Sequence, residues 1–367
     1  MSDVGTCTGA EKSTSCTRRG ERFAGLGPSS RAQPDSVAPP PLKSADLPPI
    51  VQDEIEAHGR QRTMAKGERA LIDWLKQRSG ESPARVELSI GDDMAALRLD
   101  GSRVLLTSDM LLDGVHFRTG EHRPEQIGHK AIACSLSDCA AMAVRPIAAV
   151  VSVALPESAD MDFAQTLFAG MQALAASFDC PIVGGDTTAW ANPLAIDVAM
   201  LAEPWPDRDP VRRDGGRPGD RLYVTGSLGG SLAGHHLAFV PRVAEAHTLT
   251  KSLGPNLHAM MDLSDGLALD LSRLCEASGC GAELYEAQLE PCISDAAKAA
   301  ALRDGRTPLE HALQDGEDFE LLLAVDPSVT EPPLGRPVGV LVESGLTLID
   351  PTGRACALKP IGYEHFK

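Results

Sequence analysis

Five short acidic clusters hold the side chains best suited to chemistry in this chain: Gly91-Asp92-Asp93, Thr107-Ser108-Asp109, Ser137-Asp138, Gly184-Gly185-Asp186 and Asp262-Leu263-Ser264-Asp265-Gly266. Each stands at a break between an apolar run and a turn, where a fold can aim side chains into one cleft. Carboxylates gathered that densely repel one another unless cations neutralise them. Oxygen donors from Asp, Ser and Thr suit Mg²⁺, which keeps few protein ligands and commonly holds nucleotide phosphates. The first reading is an Mg-ATP enzyme that grips phosphate through metal.

The elements that must position these clusters alternate in an α+β manner. Strand-like runs fall at Arg103–Thr107, Ile147–Leu155, Ile182–Val183 and Leu194–Leu201, with helices at 124–143, opened by Pro124, and at 161–178. The charged, turn-rich stretch 204–220 marks a domain boundary. Beyond it the pattern predicts a strand at Arg221–Thr225, a Gly-rich entry into a helix near 230–239 and a helix at 265–278. Further strands follow near 281–285, 319–325, 337–342 and 346–350. Neither half has the regular strand-helix spacing of a doubly wound nucleotide fold. Ahead of all this, residues 1–63 are rich in Ser, Pro, Gly, Arg and Thr and read as a disordered extension. Order is expected from Met64, where Ala70, Leu71, Trp74 and Leu75 share a helical face; a start at Met64 would give a complete protein, and deletion of 1–63 is expected to leave activity intact.

Composition narrows the partners. The 367 residues suffice for two domains, and a formal net charge of −17 argues against nucleic acid or an anionic membrane surface. No apolar run approaches the ~18 residues of a membrane span, and the first residues lack a secretory signal, so a cytoplasmic location is expected. The nine cysteines show no zinc-ligand spacing and read as small buried thiols. No Walker A loop occurs. Gly226-Ser227-Leu228-Gly229-Gly230 reads as a tight turn, with phosphate cradling as the alternative.

The motifs, taken in order, resemble thiamine-monophosphate kinase, of the aminoimidazole ribonucleotide synthetase-like ATP-binding superfamily. The resemblance rests on Ile90-Gly91-Asp92-Asp93, Thr107-Ser108-Asp109-Met110, Gly114-Val115-His116-Phe117, Ser137-Asp138 and Val183-Gly184-Gly185-Asp186-Thr187-Thr188. It continues through Met261-Asp262-Leu263-Ser264-Asp265-Gly266, Gly316-Glu317-Asp318-Phe319-Glu320 and Gly362-Tyr363-Glu364-His365-Phe366, and so spans about 64–367. It implies a two-domain α+β fold: residues 64–205 bind ATP and Mg²⁺ and pair in a homodimer, and 206–367 form a C-terminal α+β domain. It also implies the reaction of ATP with thiamine phosphate to give thiamine diphosphate. Carried over by motif, Asp93, Thr107, Ser108, Asp109, Asp138, Asp186, Asp262 and Asp265 form the metal shell for several Mg²⁺ ions. Phe168, Gly185, Asp186, Arg213 and Ser264 meet ATP, and His116, Glu317 and Tyr363 meet thiamine phosphate. Cys134-Ser135 departs from the family's usual Val-Asn, and the leader has no counterpart.

The residues are consistent with that reaction on their own terms. A phosphate monoester has a second pKa of about 6 and is largely dianionic at neutral pH, so it needs no general base. It needs relief of charge repulsion and in-line positioning. Each cluster alone also reads as a turn or helix cap, Asp92 most readily. His116 alone reads as a structural histidine, His235-His236 as solvated or packed in the expected helix, and Arg212 and Arg213 as linker charge. Alternatives are another synthetase of the same superfamily and a non-catalytic Mg-nucleotide sensor.

Overall fold

The computed structural model describes residues 85–365. The expected disorder of 1–63, the helix from Met64 and the terminal Phe366 lie outside them. The described residues belong to one compact unit, Met64–Lys367, built on two sheets.

The first sheet comprises β1 (Val86–Leu88), β2 (Ala95–Leu99), β3 (Ser102–Leu112), β4 (Val144–Pro156), β5 (Ile182–Trp190) and β6 (Ala195–Pro204), in the order β1-β2-β3-β6-β4-β5. Its pairs are antiparallel except β4 with β5, which run parallel and are joined through helix α2 (Met161–Ser177). Helix α1 (Pro124–Ala141) packs on α2, and a Cβ at Gly128 would lie 2.1 Å from the Leu167 carbonyl oxygen. Side chains alternate across this sheet. Leu105, Val151, Val153, Ile196 and Val198 are buried with Ile127, Leu136 and Leu167 of the helices. Leu106, Met110, Leu112 and Val150, on the opposite face, are exposed.

The second sheet comprises β7 (Arg221–Val224), β8 (Leu257–Asp262), β9 (Gly281–Tyr285), β10 (Leu321–Val325), β11 (Arg336–Val342), β12 (Leu346–Ile349) and β13 (Ala355–Ala357), ordered β13-β12-β9-β11-β7-β10-β8. Helices α3 (Val243–Leu253), α4 (Leu267–Ser278), α5 (Glu286–Leu289), α6 (Asp295–Asp304) and α7 (Pro308–Gln314) accompany it. Strand β10 is buried along its whole length because both faces are covered. Leu321, Leu323 and Val325 join the apolar cluster that includes α1 and the first sheet, whereas Leu322 and Ala324 join a second cluster with α4. Helix α1 is buried on most of its circumference, as a helix flanked by both halves must be.

Three expectations need correcting. The helix near 230–239 is replaced by two 3₁₀ turns, Ser231–Ala233 and His235–Leu237, because Gly230 and Gly234 between them take positive φ of 74° and 126°. Thr107-Ser108-Asp109 and Gly184-Gly185-Asp186 lie inside β3 and β5, and Ser137-Asp138 inside α1, not at breaks. Pairing with β6 and β4 carries both strands through the polar residues. Cys356 is exposed on the short strand β13, whereas Cys139, Cys180, Cys275 and Cys292 are buried. Among the described residues, no helix is long and apolar enough to cross a membrane.

Candidate active site

The acidic clusters meet where α1, β3 and β8 converge. Thr107 and Asp109 share a face of β3, two residues apart, and both turn toward α1. Thr107 Oγ1 donates to Asp138 Oδ2, and Ser135 Oγ donates to Asp109 Oδ2 at 2.6 Å. Two residues on, Ser137 Oγ donates to Asp262 Oδ2 at the end of β8, again at 2.6 Å. The turn after Ile90 adds Asp93, so that carboxylate oxygens of Asp93, Asp138 and Asp262 all lie within 4.8 Å of one another.

Three carboxylates this close and this buried are electrostatically costly. Burial, followed by the neighbouring carboxylates, pushes Asp138 far above the usual carboxylate range, and burial pushes Asp262 up to about 6 against the Ser137 hydrogen bond and the Arg213 charge. Burial raises Asp93 and Asp109 as well. Arg213, in the 3₁₀ turn between β6 and β7, offsets part of the charge by pairing with Asp93. Its amide donates to Asp92 Oδ2 at 3.3 Å, and the Asp93 amide to Asp92 Oδ1 at 2.9 Å, so Asp92 caps this turn. Arg212 instead pairs with Asp214 at the exposed surface. Asp93 Oδ2 is buried without a partner. An orphaned oxygen among crowded carboxylates fits a divalent cation in donor type and charge.

Beside the acids lies a cleft of about 330 Å³ lined by Asp109, Asp138, Asp262, Ser264 and Asp265, and also by His116, Glu317 and Tyr363. His116 Nδ1 accepts the Leu112 amide at 3.0 Å, which leaves its proton on Nε2. Burial and the nearby Lys130 charge hold its pKa down at about 4, so the ring is a neutral donor. The chain's end is anchored here because the Tyr363 amide donates to the Asp265 carbonyl at 2.9 Å. Asp265 itself pairs with Arg273.

Other expected site residues lie elsewhere in the chain. Ser108 faces away from Thr107 and Asp109 and donates to Asp197 on β6 at 2.9 Å. Gly185 and Asp186 lie on β5, the exposed edge of the first sheet. Phe168 packs against the apolar core from α2. None of these four lines the cleft. The amides of Gly229 and Gly230 donate to Asp318 and Asp315 at 2.8 Å each and the Leu228 amide to the Cys292 carbonyl at 2.7 Å, so these three amides of the glycine turn are already engaged. The sequence reading missed Lys130, Asp315, Phe319 and His365, and marked Cys134 only as a departure from the family's pattern. Phe319 and His365 stood within quoted motifs, but Lys130 sat unmarked in an apolar helical pattern.

Comparison with known proteins gives the chain its relatives. Residues 91–203 match the family described as AIR synthase related protein, N-terminal domain. The chain is 42% identical over 268 residues to a thiamine-monophosphate kinase of Rhodopirellula baltica, covering 71% of this chain and 82% of that one. It is 31% identical over 317 residues to the thiamine-monophosphate kinase of Aquifex aeolicus, covering 82% and 98%. A solved structure described as AaThiL complexed with AMPPCP and TMP superposes with a TM-score of 0.71 at 30% identity, covering 82% of this chain and 97% of the other.

Proposed function

Because this chain belongs to the thiamine-monophosphate kinase family, we propose that it transfers the γ-phosphoryl group of ATP to thiamine phosphate, giving thiamine diphosphate and ADP. The observation that carries the reading is the buried triad Asp93, Asp138 and Asp262 beside a cleft that also holds His116 and Glu317. The AMPPCP and TMP of the similar structure support the same pair of substrates.

Mg²⁺ would be held by Asp93, Asp138 and Asp262, with Thr107, Asp109 and Asp265 completing the proposed shell; Ser108 and Asp186 face the uncovered side of the sheet and stand outside it in a single copy. When bound, it would neutralise phosphate charge and so permit two anions to approach. The chain's own residues do the rest. Thr107, Ser135 and Ser137 orient Asp138, Asp109 and Asp262 by donating to one oxygen of each, leaving the other for a ligand. Arg213 sets a guanidinium beside the acids for a nucleotide phosphate, and Ser264 lines the cleft next to them. His116 offers a neutral Nε2–H donor to the acceptor phosphate, while Glu317 faces the cationic thiazolium and Tyr363 covers the rings. No side chain need remove a proton, since the acceptor is already dianionic.

The proposal includes a homodimer formed through residues 64–205 and a cytoplasmic location, where ATP is available. Support for the dimer comes from the uncovered face of the first sheet. Asp186, Ser152, Asp197 and Met110 form a row across four strands there, among the exposed Leu106, Leu112 and Val150. A second copy on that face would meet Gly185, Asp186 and Ser108, whereas Phe168 lies on α2 against the opposite, covered face. The test is product detection with Mg-ATP and either thiamine phosphate or unphosphorylated thiamine. Thiamine diphosphate from thiamine phosphate alone is expected. Tight ATP binding without product would instead indicate a sensor.

A further inference from the structure

Lys130 lies in the middle of α1 with 0% of its surface exposed. Lysine is almost never buried completely unless paired. Here the ammonium donates to Glu317 Oε1 at 2.6 Å and to the His116 carbonyl at 2.7 Å. Its neighbours along the helix, Ile127, Ala131, Ile132 and Ala133, are buried and apolar. An apolar side chain of similar length would suit that setting without the desolvation that a buried ion pair costs. Stability is therefore a poor reason for a charge at this position.

What the pair does accomplish is to hold one carboxylate in one place. Glu317 takes a positive φ of 54°, and Gly316 and Phe319 beside it take 73° and 50°. For Glu317 and Phe319, which carry a Cβ, these disfavoured conformations persist only where the surroundings hold them. The Glu317 amide donates to the Ser264 carbonyl at 2.7 Å, and the Phe319 amide to the Leu263 carbonyl at 2.8 Å. The main chain is thereby tied to the Asp262–Asp265 loop, and the side chain reaches across to α1. Burial pushes the Glu317 carboxyl up, and the Lys130 charge opposes that push.

We infer that Lys130 is a positioning residue for the phosphate acceptor, acting through Glu317: it holds the carboxylate aimed into the cleft, where the second oxygen meets the thiazolium cation. The inference rests on the reading of thiamine phosphate as the acceptor. Glu317 touches the substrate; Lys130 does not.

Steady-state kinetics of the full chain with Mg-ATP and thiamine phosphate test it through K130M, E317Q and the double variant. K130M is expected to raise KM for thiamine phosphate at least about tenfold, as loss of one partner of a buried charge pair does, while KM for ATP changes by less than about twofold. The double variant should match E317Q within about twofold, because the two residues act as one unit. A K130M enzyme with a lower Tm but unchanged KM for thiamine phosphate would show a purely structural lysine and overturn the inference. So would a double variant whose KM is the product of the two single effects. If K130M does not fold, K130Q, a shorter neutral donor, is read by the same KM criterion. Failure of the wild-type chain to make thiamine diphosphate would overturn the functional reading itself, which separates the two failures.

Discussion

Ser137 Oγ lies 2.6 Å from Asp262 Oδ2, across 125 residues of chain. One residue belongs to the central helix of the first half and the other ends a strand of the second sheet. This contact joins acid clusters from the two halves into one site. It also fixes the orientation of a carboxylate that burial would otherwise neutralise.

The acids are the first target. Asp93→Asn or Asp262→Asn is expected to lower turnover of thiamine phosphate at least ~100-fold, as loss of a preorganised electrostatic contact does. The asparagines keep the side-chain volume, so folding should survive, which circular dichroism checks. Near-wild-type turnover in both variants would refute the assignment of these carboxylates to cation binding.

Cation binding has its own readout, independent of turnover. Crowded carboxylates with an orphaned oxygen at Asp93 should bind Mg²⁺ in the folded chain and not in the unfolded one. Millimolar Mg²⁺ should therefore raise Tm at pH 7.5, and a chelator should reverse the rise. Asp93→Asn should shrink it by more than half. An equal rise in wild type and variant would place the binding elsewhere.

Asp318 provides a pH test outside this cluster. It is 2% exposed, accepts from Gly229 N and Ser231 Oγ, and has Oδ2 unpartnered. Burial pushes its carboxyl from 3.8 up to about 8. Between those values the folded chain keeps a proton that the unfolded chain has released, so this group's contribution to stability falls as pH rises through that window. Asn mimics the protonated form. The Tm of Asp318→Asn relative to wild type should grow by at least ~3 °C between pH 5 and pH 8.5. A Tm gap independent of pH would contradict the assigned protonation.

Gly185 tests the sheet edge. With φ at 149°, a Cβ there would lie 1.8 Å from the Val151 carbonyl oxygen. Gly185→Ala must therefore push β5 away from β4, and a loss of ~2 kcal/mol or more is expected by denaturant unfolding. A neutral substitution would show that this edge accommodates the shift freely.

Much of this architecture was readable before any coordinates. Period-2 and period-3.6 patterns placed the start of α1 at Pro124 and located β4, β6, α2 and β9 to within a few residues. Boundaries failed where polar chemistry sits inside an element. Strand β3 runs on through Thr107-Ser108-Asp109 because its partner β6 supplies hydrogen bonds whatever the side chains are. Strand β8 went unnoticed, although it delivers Asp262. The helix expected near 230–239 failed through its glycines, whose positive φ values interrupt any regular turn.

Residue types, order and spacing were enough to determine the family and the kind of chemistry, because hard oxygen donors and motif order are properties of the chain itself. They could not say which clusters converge. Only the tertiary structure put Thr107 and Asp109 on the inner face of β3 with Ser108 on the outer, since the alternation acquires a direction only when α1 covers one side. Only packing gave Lys130 its meaning, because a lysine in an apolar helical run reads as an exception until the opposite half of the molecule supplies Glu317.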